Sequence, residues 1–352
     1  MRKLSCNIPI KNIYYMLSYA FQILNENGYK RICTEEFKNT GDMFAAILIK
    51  GIEFQIKRLL NREYITEKDS LSAIRGKIEL NDSINSLSFL KRQLVCSYDE
   101  FSIDSYMNRI LKSTVNLLVH SNISKERKIK LKKLLVYFSS VRSIDLHRIN
   151  WKFHYTRNNR TYRMLMGICY LVVKGLLQTQ ENGSKKLMDF LDEQRMSHLY
   201  EKFILEYYKK HFPEFHPSSS EIEWQLDDEN SYLLPKMQSD IFLEKDKTVL
   251  IIDAKFYSRN TQILFNKHSV HSANLYQIFT YVKNKQAELS TQKTEVMGLL
   301  LYAKTYDEIQ PDSDYKMSGN KISVKNLNLN CDFEDIKKQL NHIISIYFAD
   351  VC

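Results

Sequence analysis

An α/β domain whose sheet is flanked by helices, placed behind a mainly helical N-terminal domain, is the fold class that the sequence predicts. Three observations carry it. Two short apolar runs, residues 238–243 and 248–255, enclose the charged residues 244–247 and so read as a β-hairpin. Helix-like and strand-like periodicities alternate around that hairpin between residues 196 and 304. With 352 residues the chain exceeds the size at which one core stops growing, which predicts two domains, 1–194 and 195–352.

In chain order, residues 7–22 read as a helix entered just after Pro9, with Ile13, Met16, Leu17 and Ala20 on one apolar side. Residues 42–60 predict a stronger helix, with Phe44, Ile47, Leu48, Phe54 and Leu59 available for burial. The pattern is irregular over 64–96, where short strands are expected near 77–80 and 93–98, and helical again over 108–120. Residues 125–133 hold six basic side chains and one acid, the composition of the solvated side of a helix with Ile129 and Leu131 turned inward. In WKFHYTRNNRTYR, residues 151–163, aromatic and basic residues alternate, which fits stacking on bases and ordinary packing equally. Residues 164–177 are the longest apolar stretch; Lys174 interrupts it and it falls short of the ~20 residues of a membrane span, so it reads as a buried helix.

The C-terminal domain opens with an amphipathic helix over 196–211, whose Leu199, Phe203, Ile204 and Tyr207 share an inner side. A strand over 221–226, the hairpin, a helix over 272–287, a strand over 296–304 and a closing helix over 333–351 follow. Side chains alternate along a strand, so Val249, Ile251, Asp253 and Lys255 share one face, and the antiparallel partner brings Asp240 to the same end. Two carboxylates and an ammonium gather there. That set fits phosphodiester hydrolysis: Asp240 and Asp253 hold Mg²⁺, while Lys255 orients or deprotonates an attacking water and offsets phosphate charge. A half-buried hairpin with a plain Asp253–Lys255 ion pair has the same spacing. As an exposed acidic cluster, the site predicts that Asp253→Ala abolishes Mg²⁺-dependent cleavage without loss of stability.

Helix, three strands, helix, strand is the core order of the PD-(D/E)xK nucleases, and the residues resemble that superfamily's motif, with Asp240 in the first acidic slot and Asp253 and Lys255 in the second. The resemblance implies a restriction-endonuclease-like domain with a central mixed sheet flanked by helices. Asp253 departs from the commoner Glu. Glu201 resembles an extra acid that many members carry on the first helix, and Gln277 and Tyr281, one helical turn apart, resemble the Gln-xxx-Tyr motif of the RecB-like branch. A supporting role at the catalytic site is implied for all three. Beyond the motif, IPIKNIYYMLSYA (8–20), IRGKIEL (74–80), NRILKST (108–114), SDIFL, IIDAKFY and NLYQIFTYV (274–282) are similar in content, order and spacing to the McrC family, the nuclease subunits of modified-cytosine-dependent restriction systems. This implies a Mg²⁺-dependent endodeoxyribonuclease of antiviral defence that cuts double-stranded DNA when assembled with an McrB-like AAA+ GTPase oligomer, whose hydrolysis it stimulates. Residues 1–194 would bind the partner, with DNA contact there left open, and 195–352 would carry the nuclease.

Composition narrows the alternatives. No G-x-x-x-x-G-K-[ST] occurs among only nine glycines, so nucleotide binding through a P-loop is not expected. The six cysteines are scattered without a Cys-x-x-Cys, which fits reduced thiols in a cytoplasmic protein better than a zinc site or a disulfide framework. Asn7, Pro9, Lys11 and Asn12 interrupt any apolar signal segment, so neither export nor a membrane is expected. His268 and His271 form the one close histidine pair, with no third ligand nearby. Residues 1–194 hold 32 Lys and Arg against 19 Asp and Glu, whereas 195–352 hold 19 against 22. Such a split fits a chain that holds a polyanion with one half and cuts it with the other, or a lysine-rich solvated surface. Three other functions stay open: a self-sufficient restriction or repair nuclease, a relative with an ATP-using partner, and a non-catalytic assembly subunit whose carboxylates only pair with lysine.

Overall fold

The computed structural model describes residues 8–21, 24, 29, 32, 35–156, 159, 161–181, 193–228, 231–257, 260–264 and 267–349. The chain divides into two compact units, one of Met1–Glu35 with Leu191–Cys352 and the other of Glu36–Phe190. The expected boundary after residue 194 is thereby corrected at its other end: helix α1 (Ile10–Ala20) belongs with the C-terminal unit. Aromatic packing is the cause. Tyr15 stacks on Phe333 with ring centroids 4.4 Å apart, and Tyr19 meets Phe203 edge-on at 5.5 Å. Asn12 Nδ2 donates to the backbone oxygens of Leu329 at 2.9 Å and Cys331 at 2.7 Å, so a buried amide is satisfied by the same unit.

Unit Glu36–Phe190 begins with α2 (Thr40–Lys57), whose N-cap Asn39 accepts the Asp42 amide through its side chain at 2.9 Å. Strands β1 (Glu63–Leu71) and β2 (Lys77–Ile78), helix α3 (Leu80–Asn85) and strand β3 (Leu94–Ser102) follow, and the strands form an antiparallel sheet in the order β1-β3-β2. The irregular stretch expected here is thus an ordered ribbon, with β1 paired to β3 along its whole length. EYITEKDSL alternates between half-buried and exposed positions, and its polar side hides it from a search for apolar runs. Gly76 is required at φ +72°, where a Cβ would collide with the Ser97 carbonyl oxygen and Tyr98. Helices α4 (Tyr106–Val119), α5 (Lys125–Leu135) and α6 (Tyr162–Glu181) complete the unit. Buried Asp104 ties α4 to the chain beyond α5: it accepts from Arg109 Nε at 2.8 Å and from the Arg142 amide at 2.8 Å. Between α5 and α6, Trp151, Phe153 and Tyr155 turn inward and pack on one another and on Tyr170, whereas Lys152, His154 and Thr156 face solvent. The aromatic residues of that segment are therefore packing; Arg157, Asn158 and Arg160 lie outside the described residues.

The other unit continues with α7 (Glu193–His211), β4 (Glu221–Ile222), β5 (Met237–Gln238), β6 (Ile241–Lys245), β7 (Thr248–Lys255), β8 (Thr261–Leu264), β9 (Lys267–Val270), α8 (Ser272–Glu288), β10 (Glu295–Ala303), β11 (Ser313–Met317), β12 (Asn320–Leu327) and α9 (Phe333–Tyr347). Five strands form a mixed sheet in the order β11-β12-β10-β7-β6, with β10 parallel to both β7 and β12 and the two outer pairs antiparallel. Strands β7 and β10 lie inside that sheet and are buried on both faces, which is why each reads as a near-continuous apolar run. Helix α8 packs Ile278, Tyr281 and Val282 against Val249, Ile251 and Leu300. Gly298 permits that approach, because a Cβ there would stand 2.8 Å from Val282 and 2.9 Å from Ile278. The other face is covered by α7, whose Tyr208 OH donates to the Leu340 carbonyl of α9 at 3.1 Å. Cys96, Cys169 and Cys331 are free thiols, while Cys6, Cys33 and Cys352 lie outside the described residues. No helix among the described residues is long and apolar enough to cross a membrane.

Candidate metal centre

Strand pairing builds the site. Ile241 of β6 lies opposite Ile252 of β7, so the preceding residue, Asp240, falls beside Asp253. The strand expected over 238–243 is broken at that point: Met237–Gln238 pairs with Glu221–Ile222 instead, which also shortens the strand expected over 221–226. Asp240 thus stands between two ladders, and its Oδ2 accepts the Ala254 amide at 2.8 Å. On β7, Lys255 Nζ lies 2.9 Å from each oxygen of Asp253, but only Oδ1 accepts a hydrogen bond from it. Oδ2 is a buried oxygen without a hydrogen-bond partner among the described residues.

The exposed acidic cluster expected above is corrected here. Asp253 is wholly buried and the Lys255 side chain is 14% exposed, because β7 lies within the sheet under helices on both faces. Electrostatics follow from that burial. Desolvation, then the carboxylates of Asp253 and Glu201, push Asp240 up to about 8 against the pull of Lys255 and the Ala254 amide. Desolvation raises Asp253 as well, opposed by Lys255 and by a side-chain hydrogen bond with Asp240. Burial disfavours the Lys255 charge, yet the two aspartates outweigh it and hold the ammonium above its ordinary range.

Glu201, on α7, is half-buried; it accepts from Ser197 Oγ at 2.9 Å, lies 3.4 Å from His198 Nδ1, and acts on both aspartates through its charge. Gln277 Nε2 donates to Tyr281 OH at 2.9 Å, so these two are paired with each other on α8. Among the described residues no hydrogen bond joins either of them to Asp240, Asp253 or Lys255. Sequence reasoning missed Tyr257, Asn274 and Tyr302. Tyr302 of β10 is the register partner of Lys255, Asn274 Nδ2 donates to its hydroxyl at 2.8 Å, and Tyr257 OH donates to Asn274 Oδ1 at 3.2 Å. A signal existed for Asn274, which precedes Gln277 by about one helical turn; Tyr302 emerges only from strand register. His268 and His271 do not converge on a cation: His268 Nδ1 lies 3.1 Å from Thr261 Oγ1, and His271 packs on Tyr257 with centroids 5.2 Å apart.

A hard divalent cation fits this donor set. Asp253 Oδ2 accepts no hydrogen bond among the described residues, and Asp240, raised first by burial and then by the carboxylates of Asp253 and Glu201, would be drawn toward its charged form by a cation. Among the described residues no three His, Cys, Asp or Glu side chains form a group that could hold a metal ion, so Asp240 and Asp253 are the two carboxylates that a cation here would use, with water in its remaining positions.

Burial, with the neighbouring carboxylates, predicts a pH signature in EDTA. Asp240 has an ordinary value of 3.8 and titrates at about 8 in the fold, so between those limits the folded chain holds a proton that the unfolded chain has released. Stability must then fall as pH rises through that window, the opposite of an ion-paired aspartate with a depressed value. Asp240→Asn cannot ionise. It should match wild type near pH 5 and exceed it near pH 9 by about 1–3 kcal/mol in thermal melts. Parallel wild-type and variant curves across that range would show that burial and the neighbouring carboxylates do not raise Asp240.

Fold and site together define a two-unit α/β protein with a buried carboxylate–lysine centre at the end of a mixed sheet. The chain belongs to the family of McrBC 5-methylcytosine restriction system components, whose profile matches residues 7–303. It is 27% identical over 348 residues to the type IV methyl-directed restriction enzyme EcoKMcrBC of Escherichia coli (strain K12), covering 97% of this chain and 98% of the relative. Among solved structures it resembles a chain in the refined half-complex from a tetradecameric assembly of Thermococcus gammatolerans McrB AAA+ hexamers with bound McrC. The TM-score is 0.51 at 18% identity, over 96% of this chain and 76% of that one, which shows a shared fold.

Proposed function

We propose that the chain is the Mg²⁺-dependent endodeoxyribonuclease subunit of a modified-cytosine-dependent restriction system, with a PD-(D/E)xK centre that cuts double-stranded DNA when assembled with an McrB-like AAA+ GTPase. The observation that carries this is the convergence of Asp240, Asp253 and Lys255 at the end of β6 and β7, with Asp253 buried and one of its oxygens accepting no hydrogen bond among the described residues. Asp240 and Asp253 hold the cation, which when bound supplies Lewis-acid polarisation of the scissile phosphate and a water of lowered pKa. Lys255, kept charged by its two aspartates, orients that water and balances phosphate charge; its raised pKa favours this over deprotonation. The Tyr257–Asn274–Tyr302 chain of hydrogen bonds fixes the wall beside the lysine. Glu201 adds charge that tightens the hold on a cation.

Assembly with a GTPase partner is supported by the fold likeness to a chain from an assembly of McrB hexamers with bound McrC. The test is cleavage of DNA carrying modified cytosine by the full chain with that partner, in Mg²⁺ and in EDTA. Metal-independent cleavage, or none under any condition, would refute the proposal.

Lys255 separates catalysis from simple charge balance. Lys255→Ala should still bind Mg²⁺ by calorimetry but lose cleavage, and its metal-free form should melt lower because Asp253 is left buried without a counter-charge. Lys255→Arg should remain impaired by about tenfold or more, since a planar guanidinium does not reproduce a compact ammonium in so enclosed a place. Full activity with arginine would reduce the lysine to a counter-ion.

A further inference from the structure

We propose that the outward face of α5, through Lys125, Lys128, Lys132 and Lys133, grips the phosphate backbone of duplex DNA independently of sequence. The proposal rests on the reading of the chain as a DNA-cutting subunit and adds a place on unit Glu36–Phe190 where the substrate is held.

Charge within unit Glu36–Phe190 is segregated more sharply than the whole-chain balance shows. Residues 62–102, which hold the three-stranded sheet, carry six Lys and Arg against seven Asp and Glu, whereas residues 103–181 carry 15 against four. Three of those four acids are already engaged: Asp104 with Arg109 and Arg142, Glu126 with Lys130, and Asp145 with Arg148. On α5 the inner side is Arg127, ion-paired to Asp42 at 2.6 Å, with Leu131, Leu134 and then Phe138. Ile129, expected inside, is 56% exposed, and Lys125, Lys132 and Lys133 are exposed with it. Among the described residues Lys125, Lys128, Lys132 and Lys133 have no ion pair.

A merely solvated helix face mixes both signs, because like charges one turn apart repel. Here Lys128 and Lys132 are four apart and Lys125 and Lys128 three apart, each a cost of a few tenths of a kcal/mol. Lys125 adds a further cost, since it opens the helix where the dipole favours an anion. A polyanion relieves all three. The scale also fits: eight residues at ~1.5 Å rise separate Lys125 from Lys133 by about 12 Å, the length of about three to four phosphates of one strand. Lysine ammoniums are point charges, suited to tracking a backbone and not to reading base edges.

The test uses the full chain with all four lysines changed to glutamine, titrated with unmodified duplex DNA in EDTA at several salt concentrations. The slope of log K against log salt should become shallower by about three, with binding at low salt weaker by about a hundredfold. The melting temperature should hold or rise, because repulsion has been removed. A wild-type slope would overturn the proposal, and a wild-type slope with lost partner binding would reassign the face to a protein. Since the titration contains no Mg²⁺, a shallower slope in a protein that never cleaves would leave this surface standing and remove the nuclease reading. Normal cleavage with an unchanged slope would do the reverse.

Discussion

Asp253→Asn is expected to abolish Mg²⁺-dependent cleavage, a loss of about 10²–10³-fold or more, the scale of removing a group that acts directly on reacting charge. The side chain keeps its shape, so the buried site should not collapse. Two changes in stability oppose each other: Lys255 loses its nearest carboxylate, while Asp240 loses the neighbour that, after burial itself, does most to keep it protonated. Asp240 can then ionise and replace the lost partner, so the melting temperature of the metal-free variant should move little. Asp253→Ala is a different experiment, because it also opens a cavity in a fully buried strand and should melt lower by about 1–3 kcal/mol. Cleavage by the asparagine variant at the wild-type rate, in a preparation free of other nucleases, would remove Asp253 from the chemistry. A collapse of its melting temperature would instead mark the Asp253–Lys255 pair as structural.

The hairpin was legible because its information is local. Alternation along 248–255 places Asp253 and Lys255 together, and an antiparallel partner can bring only Asp240 to that end. Burial was not legible, since whether β7 is an edge or an inner strand depends on β10, which pairs with it from across α8. The same limit explains Tyr302, whose place beside Lys255 is set by parallel register. Strands β1 and β11 escaped notice because both are largely solvent-facing and leave no apolar run. Helix α1 shows the converse failure: its apolar stripe was recognised, but an amphipathic stripe does not say what covers it, and Phe203 and Phe333 lie far along the chain. The aromatic residues of 151–155 show a third, because spacing alone cannot separate a stacking platform from a packed strip.

If the chain assembles with an AAA+ GTPase as proposed above, replacing Leu80, Leu87 and Leu90 together by serine is expected to abolish any stimulation of that partner while leaving the melting temperature intact. Six apolar side chains within residues 74–90 are at least half exposed: Ile74, Leu80, Ile84, Leu87, Phe89 and Leu90. So dense a group of exposed apolar side chains is the kind of surface that a protein partner covers. The segment is also pre-shaped. Leu87 and Arg92 hold left-handed backbone at φ 50° and 56°, and Ser83 Oγ accepts the Val95 amide at 2.8 Å, which pins α3 to β3. A fixed display loses less entropy on docking than a mobile one, so truncating its leucines should cost binding chiefly through lost burial, about 1 kcal/mol or more for each hot-spot residue. The surrounding sheet carries nearly equal numbers of acids and bases, so this contact should depend weakly on salt, in contrast to the α5 face. Because the three leucines are exposed in the free chain, their loss opens no core cavity, and the variant should melt like wild type. The measurement is the partner's GTP hydrolysis rate with saturating wild-type or variant chain, beside a pull-down of the complex. Undiminished stimulation by the triple variant would place the docking surface elsewhere on unit Glu36–Phe190 or on the other unit.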